Sequence, residues 1–349
     1  MNDDPLRAII ALHFDPEAGS PYWLRRQRTL GFDPRARIRA IDDLALFGPF
    51  DLEDLNRYPV TDFVPEAVRR CTRLVLAETG GTSGVPRTTA YSEEDFHAAF
   101  VAPFLDAVAA VPLDEGGQWL WVGPGGPHII GKAAQRIAVL TTGCEAFSVD
   151  FDPRWFRRLA AGSLGRTRYL DHVLEQALRV IAAQDIRYLF STPVVLEALA
   201  TQMDPAARSR IRFLYLGGMP VGAGARAALA EAFPAARGLI GYGNTLFGVC
   251  HQHGGDPWHA RVPEYRAPAP RLGVRIVPLA GADRDRLRAR VAPGERGQVV
   301  MHRLDASGFL PCVFERDSAV RGELGASQDA LLDPQPLHGP GFKPDSGIY

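Results

Sequence analysis

The sequence predicts an α/β protein: a mainly parallel sheet covered by helices on both faces, followed by a small unit of strands. Three observations predict it. Between residues 92 and 242, short apolar runs alternate with segments of helical spacing, the pattern of βαβ units. After about residue 265 the runs are strand-like, with turn residues between them and no long helix. The 349 residues are 46% hydrophobic and 23% charged, which suits two or three packed units and excludes a disordered chain. Self-similarity at a fixed period is absent, so repeat architectures are set aside.

Residues 1–75 read as a helical and irregular segment packed on the core, with aromatic and arginine-rich stretches such as Tyr22-Trp23-Leu24-Arg25-Arg26. The α/β core runs from 76 to 265. Ser92-Glu93-Glu94-Asp95 opens a helix over 92–111, a capping serine followed by acids that complement the helix dipole. A short apolar strand at 119–122 ends in Gly-Pro-Gly-Gly-Pro, a helix follows over 128–140, and a strand over 145–149. Residues 169–183 form a strongly amphipathic helix. Strands at 187–190, 211–216 and 238–242 then alternate with helices at 193–202 and 223–233. The small β unit, 266–330, has strands at 273–279, 297–304 and 309–314. From 331 to 349 the chain is rich in proline and glycine and reads as an irregular tail.

Charge excludes one function class. Lys plus Arg is 39 and Asp plus Glu is 40, so the basic excess of a general nucleic-acid binder is missing. An anionic ligand must be held by local arrangement. Lys132 and Lys343 are the two lysines, which limits the choice of a catalytic one. Cys71, Cys144, Cys250 and Cys312 form no CxxC and read as reduced, mostly buried thiols. The acidic start and the lack of about 18 consecutive apolar residues lead to the expectation of a cytoplasmic protein with no membrane partner.

The most informative run is Thr79-Gly80-Gly81-Thr82-Ser83-Gly84-Val85-Pro86-Arg87. Its glycines and hydroxyls give a loop with many free backbone N–H donors, suited to polyphosphate oxygens. The same composition also builds a polar surface turn. A Walker loop is excluded, because the Gly-Lys-Ser/Thr ending is absent.

The run resembles the phosphate-binding loop of the adenylate-forming superfamily, Ser/Thr-Ser-Gly-Thr-Thr-Gly-x-Pro-Lys, with Gly80 for the second hydroxyl residue, Ser83 for the second threonine and Arg87 for the lysine. Gly241-Tyr242-Gly243-Asn244-Thr245 resembles its Tyr-Gly-x-Thr-Glu motif. Leu246 stands where that family has a magnesium-binding glutamate, and leucine cannot ligate a hard cation. Gly217-Gly218-Met219-Pro220 resembles the adenine-pocket glycine segment, and Asp317 falls where the family has a ribose-binding aspartate. Ser20-Pro21-Tyr22-Trp23, Gly125-Gly126-Pro127-His128-Ile129-Ile130-Gly131 and Ser191-Thr192-Pro193 are similar to the phenylacetate-CoA ligase branch. Gly-Tyr-Gly-Asn-Thr-Leu-Phe-Gly, from Gly241, is similar to adenylating proteins associated with phenazine-antibiotic biosynthesis.

The resemblance implies a large adenylate-forming domain of two αβα subdomains with mixed, largely parallel sheet, plus a small β-barrel-like subdomain. The chain ends soon after Asp317, so a C-terminal lid domain is expected to be absent, and Lys343 sits in a tail too short to replace it. The implied activity is ATP-dependent activation of an aromatic or heteroaromatic carboxylic acid to an acyl-adenylate with release of pyrophosphate, in secondary metabolism, with ATP and Mg2+. A downstream reductase, acyltransferase or carrier protein would accept the acyl group. The alternatives are an aryl-CoA ligase completed by a partner in trans and a non-catalytic nucleotide- or acid-binding homologue. Thr79, Gly80, Gly81, Thr82, Ser83 and Gly84 would hold phosphates with Arg87. Gly217, Gly218, Met219, Tyr242, Gly243, Asn244 and Asp317 would hold the nucleoside, and Thr245 the α-phosphate. Lys132 is the candidate catalytic lysine. His128, Ser191, Gly241 and Phe247 would border the acyl pocket.

A second cluster, Cys250-His251-Gln252-His253 with Asp256 and His259, offers ligand types for zinc, and His251 and His253 would share a face on a strand. The spacing matches no standard finger, and such residues are also ordinary buried polar groups. No metal is assigned.

Overall fold

The computed structural model describes residues 5–81, 84–110, 113, 116–219, 221–254, 258, 262–324 and 328–337. Its strands are β1 (Leu74–Glu78), β2 (Thr88–Ser92), β3 (Gln118–Gly123), β4 (Phe147–Asp150), β5 (Ile186–Ser191), β6 (Phe213–Leu216), β7 (Arg237–Asn244), β8 (Gly248–His251), β9 (Glu264–Tyr265), β10 (Leu272–Val277), β11 (Arg296–Asp305), β12 (Gly308–Glu323) and β13 (Asp329–Pro336). One sheet has the order β4-β3-β5-β6-β7-β8, parallel up to β7, with β8 antiparallel at its edge.

Strand alternation gives this sheet two unlike faces. Leu120, Val122, Leu189, Leu214, Leu216 and Ile240 make an aliphatic face against the helices Leu164–Ala183, Pro193–Gln202 and Ala223–Ala232. Trp119, Trp121, Tyr188, Phe190, Phe213 and Tyr215 make an aromatic face against the helix Ile129–Thr142 and the segment 96–104. Burial on both sides explains why these strands are apolar throughout. Ser163 caps the long helix by accepting from the Arg166 N–H, and Gly143, at φ 75°, ends the helix Ile129–Thr142.

The helix expected over 92–111 is interrupted by a π turn, His97–Val101. Pro103 has no N–H to continue the ladder, so the turn widens there. The Ala99 carbonyl then faces Gly248, where a Cβ would lie 2.5 Å from its oxygen.

The α/β class and the separate β unit are as expected, with differences in detail. Of the two αβα layers expected, the described residues build one, and beside it stands the two-stranded hairpin β1–β2. The sequence pattern missed this hairpin because its strands are short and flank the glycine-rich loop. The β unit is a five-stranded antiparallel sheet, β10-β11-β12-β13-β9, with β10 and β9 at its edges. Residues 331–336, expected as tail, belong to β13 and pair with β12. Proline is tolerated there because β9 pairs with Leu331 and Leu332 and the Pro263 carbonyl accepts from the Asp333 N–H, so both prolines lie beyond the paired stretch of that side. Cys71 and Cys144 are exposed, and only Cys250 and Cys312 are buried as expected. No helix among the described residues is long and apolar enough to cross a membrane.

The N-terminal segment is tied to the β unit. The Trp23 Nε1–H donates to the Phe309 carbonyl at 3.0 Å, and Phe14, Trp23, Phe47 and Phe309 form one aromatic cluster. His13 lies beside it, within hydrogen-bond distance of Ser20 Oγ and the Asp305 carbonyl. Burial lowers His13 to about 4, and His251 and His302 to about 3. A histidine pKa lowered by folding stabilises the fold above about 6.5, and that contribution is lost as pH falls toward the folded value. Denaturant unfolding at pH 7.5 and pH 5 is therefore expected to show a clearly lower stability at pH 5. Equal stability would mean these imidazoles are not buried neutral.

Candidate functional site

A cavity of about 270 Å3 opens at the carboxyl ends of the parallel strands, where open α/β sheets place their ligands. Four glycine-bearing segments meet there: the β1–β2 loop, the turn after β6, the β7–β8 hairpin, and the start of the helix after β3. Of the residues singled out in the sequence, Thr79, Gly80, Gly81, Arg87, His128, Gly217, Gly218, Gly241, Gly243, Asn244 and Thr245 line it. Thr82 and Ser83 lie outside the described residues.

The β1–β2 loop is closed by Thr79 and Arg87. The Thr79 N–H donates to the Arg87 carbonyl, and the Arg87 N–H donates to Thr79 Oγ1, both at 2.9 Å. Gly81 has φ +67°, and a Cβ on it would lie 2.9 Å from Pro86 Cγ, so glycine is required. Two arginines on the helix Pro153–Arg158 hold the loop from behind. Arg154 donates to Glu78 and to the Thr79 carbonyl, and Arg157 donates to the Gly80 carbonyl. The sequence analysis did not identify them.

Arg87 lines the cavity, but its guanidinium donates to Glu53 at 2.6 Å and to the Leu52 carbonyl at 3.1 Å. The hydroxyl of Tyr242 donates to Asp317 at 2.8 Å. Burial, then the Asp317 carboxylate, raises the Tyr242 hydroxyl well above its usual range, and burial raises Asp317. The chain neighbours of both, Gly241, Gly243 and Arg316, line the cavity.

Glu315 is the main residue that sequence reasoning missed. It lines the cavity and accepts from Asn244 Nδ2 at 3.1 Å, and Asn244 Oδ1 in turn accepts from the Leu246 N–H. Burial and the nearby Asp317 push the Glu315 carboxyl up to about 7. It stands two residues before Asp317 on β12, and that period-two spacing was the available signal. Its oxygen supplies a hard donor next to the loop whose Leu246 has none, which fits a magnesium–nucleotide ligand. His128 is buried at the helix start, and burial, then Arg154, lowers its imidazole.

Several assigned residues lie elsewhere. Lys132 donates to the Leu76 carbonyl at 2.6 Å and faces β1 outside the cavity. Ser191 is fully buried and donates to the Val122 carbonyl, fastening β5 to β3. Phe247 is fully buried in the main core, Met219 packs against that core, and Gly84 is exposed outside the lining. The apolar wall of the cavity is formed instead by Phe100, Phe190, Tyr215 and Val249. The histidine cluster does not assemble: β8 ends at His251, which is buried against Tyr215, while His253 is exposed. Among the described residues no group of three metal-ligating side chains is present, and Asp256 and His259 lie outside them.

No family model and no curated protein matches the sequence. Solved structures do. An open conformation of 2-hydroxyisobutyryl-CoA ligase in complex with 2-HIB-AMP and CoA matches with a TM-score of 0.64 at 16% identity, over 94% of this chain and 72% of that one. The same ligase in the postadenylation state with R3-HIB-AMP matches with a TM-score of 0.65 at 15% identity, over 94% and 65%. Its thioesterification state with 2-HIB-AMP and CoA gives 0.61 at 15%, over 95% and 67%. The chain thus spans about two thirds of the length of these ligases. Over nearly all of its own length it has the fold of 2-hydroxyisobutyryl-CoA ligase.

Proposed function

We propose that this cavity binds ATP and a small aromatic carboxylic acid and joins them as an acyl-adenylate. A carboxylate oxygen attacks the α-phosphorus, the bond to the β-phosphate bridging oxygen breaks, and pyrophosphate leaves with the electron pair. The carrying observation is that one cavity has the glycine-rich β1–β2 loop at one side and the rings of Phe100, Phe190 and Tyr215 at another. The fold shared with a ligase crystallised with an acyl-AMP supports the same reading.

In-line transfer asks the protein mainly for positioning and charge neutralisation. The loop N–H groups would hold the outer phosphates, with Arg154 and Arg157 fixing the loop. Glu315 and the phosphates would hold Mg2+, whose contribution is to neutralise charge on the phosphate oxygens. Tyr242 and Asp317 would take the nucleoside. The acyl group would pass to a separate reductase, acyltransferase or carrier protein. ATP–pyrophosphate exchange over a panel of aryl acids tests the proposal: acid-dependent exchange supports it, and none with any acid contradicts it.

Asp317→Asn keeps an acceptor for the Tyr242 hydroxyl but removes the charge that would accept from both ribose hydroxyls. ATP affinity by calorimetry is expected to fall by roughly tenfold or more, the range for hydrogen bonds to a charged group. Unchanged affinity would remove Asp317 from the nucleotide site. A second reading has its own support. Arg87 and Lys132, the cations named for catalysis, are engaged by Glu53 and the Leu76 carbonyl. That favours a nucleotide- and acid-binding protein without turnover, which would show binding but no exchange.

A further inference from the structure

The aromatic face of the large sheet runs out in glycine. On β6 its members are Phe213 and Tyr215, and two residues on, just past the end of the strand, stands Gly217. On β7, Leu239 is followed at the same spacing by Gly241 and Gly243. The cavity opens where these columns of side chains stop, and all three glycines line it.

Backbone or packing accounts for the other glycines of this wall. Gly218 and Gly248 have positive φ, and a Cβ at Gly241 would lie 2.9 Å from Val249 Cγ2. At Gly243 the obstacle is the backbone of Gly248 across the hairpin. Neither reason applies to Gly217. Its backbone is outside the left-handed region, so a side chain there is unstrained. The position is buried, yet among the described residues a Cβ would meet one atom within 4 Å, Phe190 Cε2 at 4.0 Å. That is an ordinary van der Waals contact, and the space in front of this buried position is the cavity itself. Glycine also loses more chain entropy on folding than alanine does, with nothing in the backbone to offset it. What its small size provides is volume beside Phe190.

We infer that Gly217 sets the size of acid the site accepts, leaving room beside Phe190 for an apolar ring substituent or a second fused ring. This rests on the cavity being the acid-binding site proposed above. Phe190 is a fixed wall, because its ring is held between Tyr215 and Trp121 at centroid distances of 4.0 and 4.5 Å. A side chain at 217 and a substituent on the acid therefore compete for one space. Gly217, expected beside the nucleoside, is thereby assigned to the ring end of the site.

The test uses benzoate, its methyl and chloro isomers and the two naphthoates, with wild type, Gly217→Ala and Gly217→Val. Exchange kinetics give KM and kcat, calorimetry beside α,β-methylene-ATP gives acid binding without turnover, and thermal melting reads the fold. At least one substituted or fused-ring acid should bind wild type as tightly as benzoate or more tightly. Its preference over benzoate should fall by about tenfold or more in Gly217→Val, mainly through KM, and by less in Gly217→Ala. Affinity for α,β-methylene-ATP alone should match wild type, and Gly217→Ala should melt at or above the wild-type temperature. The inference is overturned if wild type binds every larger acid more weakly than benzoate, or if both variants keep the wild-type preferences. Loss of affinity for the ATP analogue in place of acid selectivity, or a lower melting temperature in Gly217→Ala, would also overturn it. Exchange with unchanged preferences would leave the adenylation reading standing alone. Should no acid support exchange while calorimetry shows the size preference lost in Gly217→Val, the adenylation reading fails and the selectivity inference stands.

Discussion

Asp305→Ala is expected to lower folding stability by about 3–5 kcal/mol, the range for removing one partner of a buried ion pair. Asp305 is the shared anion of Arg303, which is buried, and of Arg271, whose side chain is 10% exposed. Arg271 binds it through two parallel contacts of 2.9 Å, and Arg303 Nε donates to it at 2.6 Å. Arg303 also donates to Thr89 Oγ1 and the Ala90 carbonyl, and its guanidinium lies 3.5 Å from the Tyr91 ring centroid. Alanine at 305 would leave the buried Arg303 and the largely buried Arg271 with part of their hydrogen bonding lost. The effect should reach the site as well. Arg271 donates to the Phe247 carbonyl and the Tyr91 hydroxyl to the Thr245 carbonyl, so the network holds the loop that lines the cavity. Denaturant unfolding measures the loss, and a change below about 1 kcal/mol would show that the network is not the tie described here.

Gly243→Ala should act on function more than on the fold. Gly243 pairs with Val249 across the β7–β8 hairpin. A Cβ there would lie 2.0 Å from the Gly248 carbonyl oxygen and 2.8 Å from Val249 Cα. Both obstacles are backbone, so the hairpin must open and carry Asn244 and Thr245 with it. Misplacing reacting groups by about 1 Å can cost about a hundredfold in rate. Exchange activity is therefore expected to fall by about a hundredfold, with ATP affinity reduced in the same variant. Wild-type kinetics in a folded Gly243→Ala protein would contradict the placement of Asn244 and Thr245.

Periodicity made the large sheet legible. Alternation in Trp119-Leu120-Trp121-Val122 and Phe213-Leu214-Tyr215-Leu216 marks strands buried on both sides, and the glycine-bearing turns between elements line one cavity. Other features were hidden for identifiable reasons. β13 carries two prolines, which usually argue against a strand but are acceptable on an open side. At the site, sequence position names neighbours along the chain but not where each side chain is engaged. Ser191 looked available next to a Thr-Pro turn, yet its hydroxyl holds the Val122 carbonyl. Lys132 follows the histidine segment, yet on the helix it points to β1. Glu315 escaped notice because Leu246 drew attention to its own loop, while the carboxylate in the cavity comes from β12, distant in sequence.

The most direct test of the central claim follows oxygen. An acid that supports exchange is labelled with 18O in both carboxylate positions and incubated with ATP, Mg2+ and the protein, and the AMP released is analysed by mass spectrometry. Attack of the carboxylate on the α-phosphorus makes one labelled oxygen the bridge of the acyl-adenylate, and later cleavage at the acyl carbon leaves that oxygen on AMP. The account predicts AMP carrying one 18O, formed together with pyrophosphate. Unlabelled AMP, or ADP and phosphate in place of AMP and pyrophosphate, would contradict it.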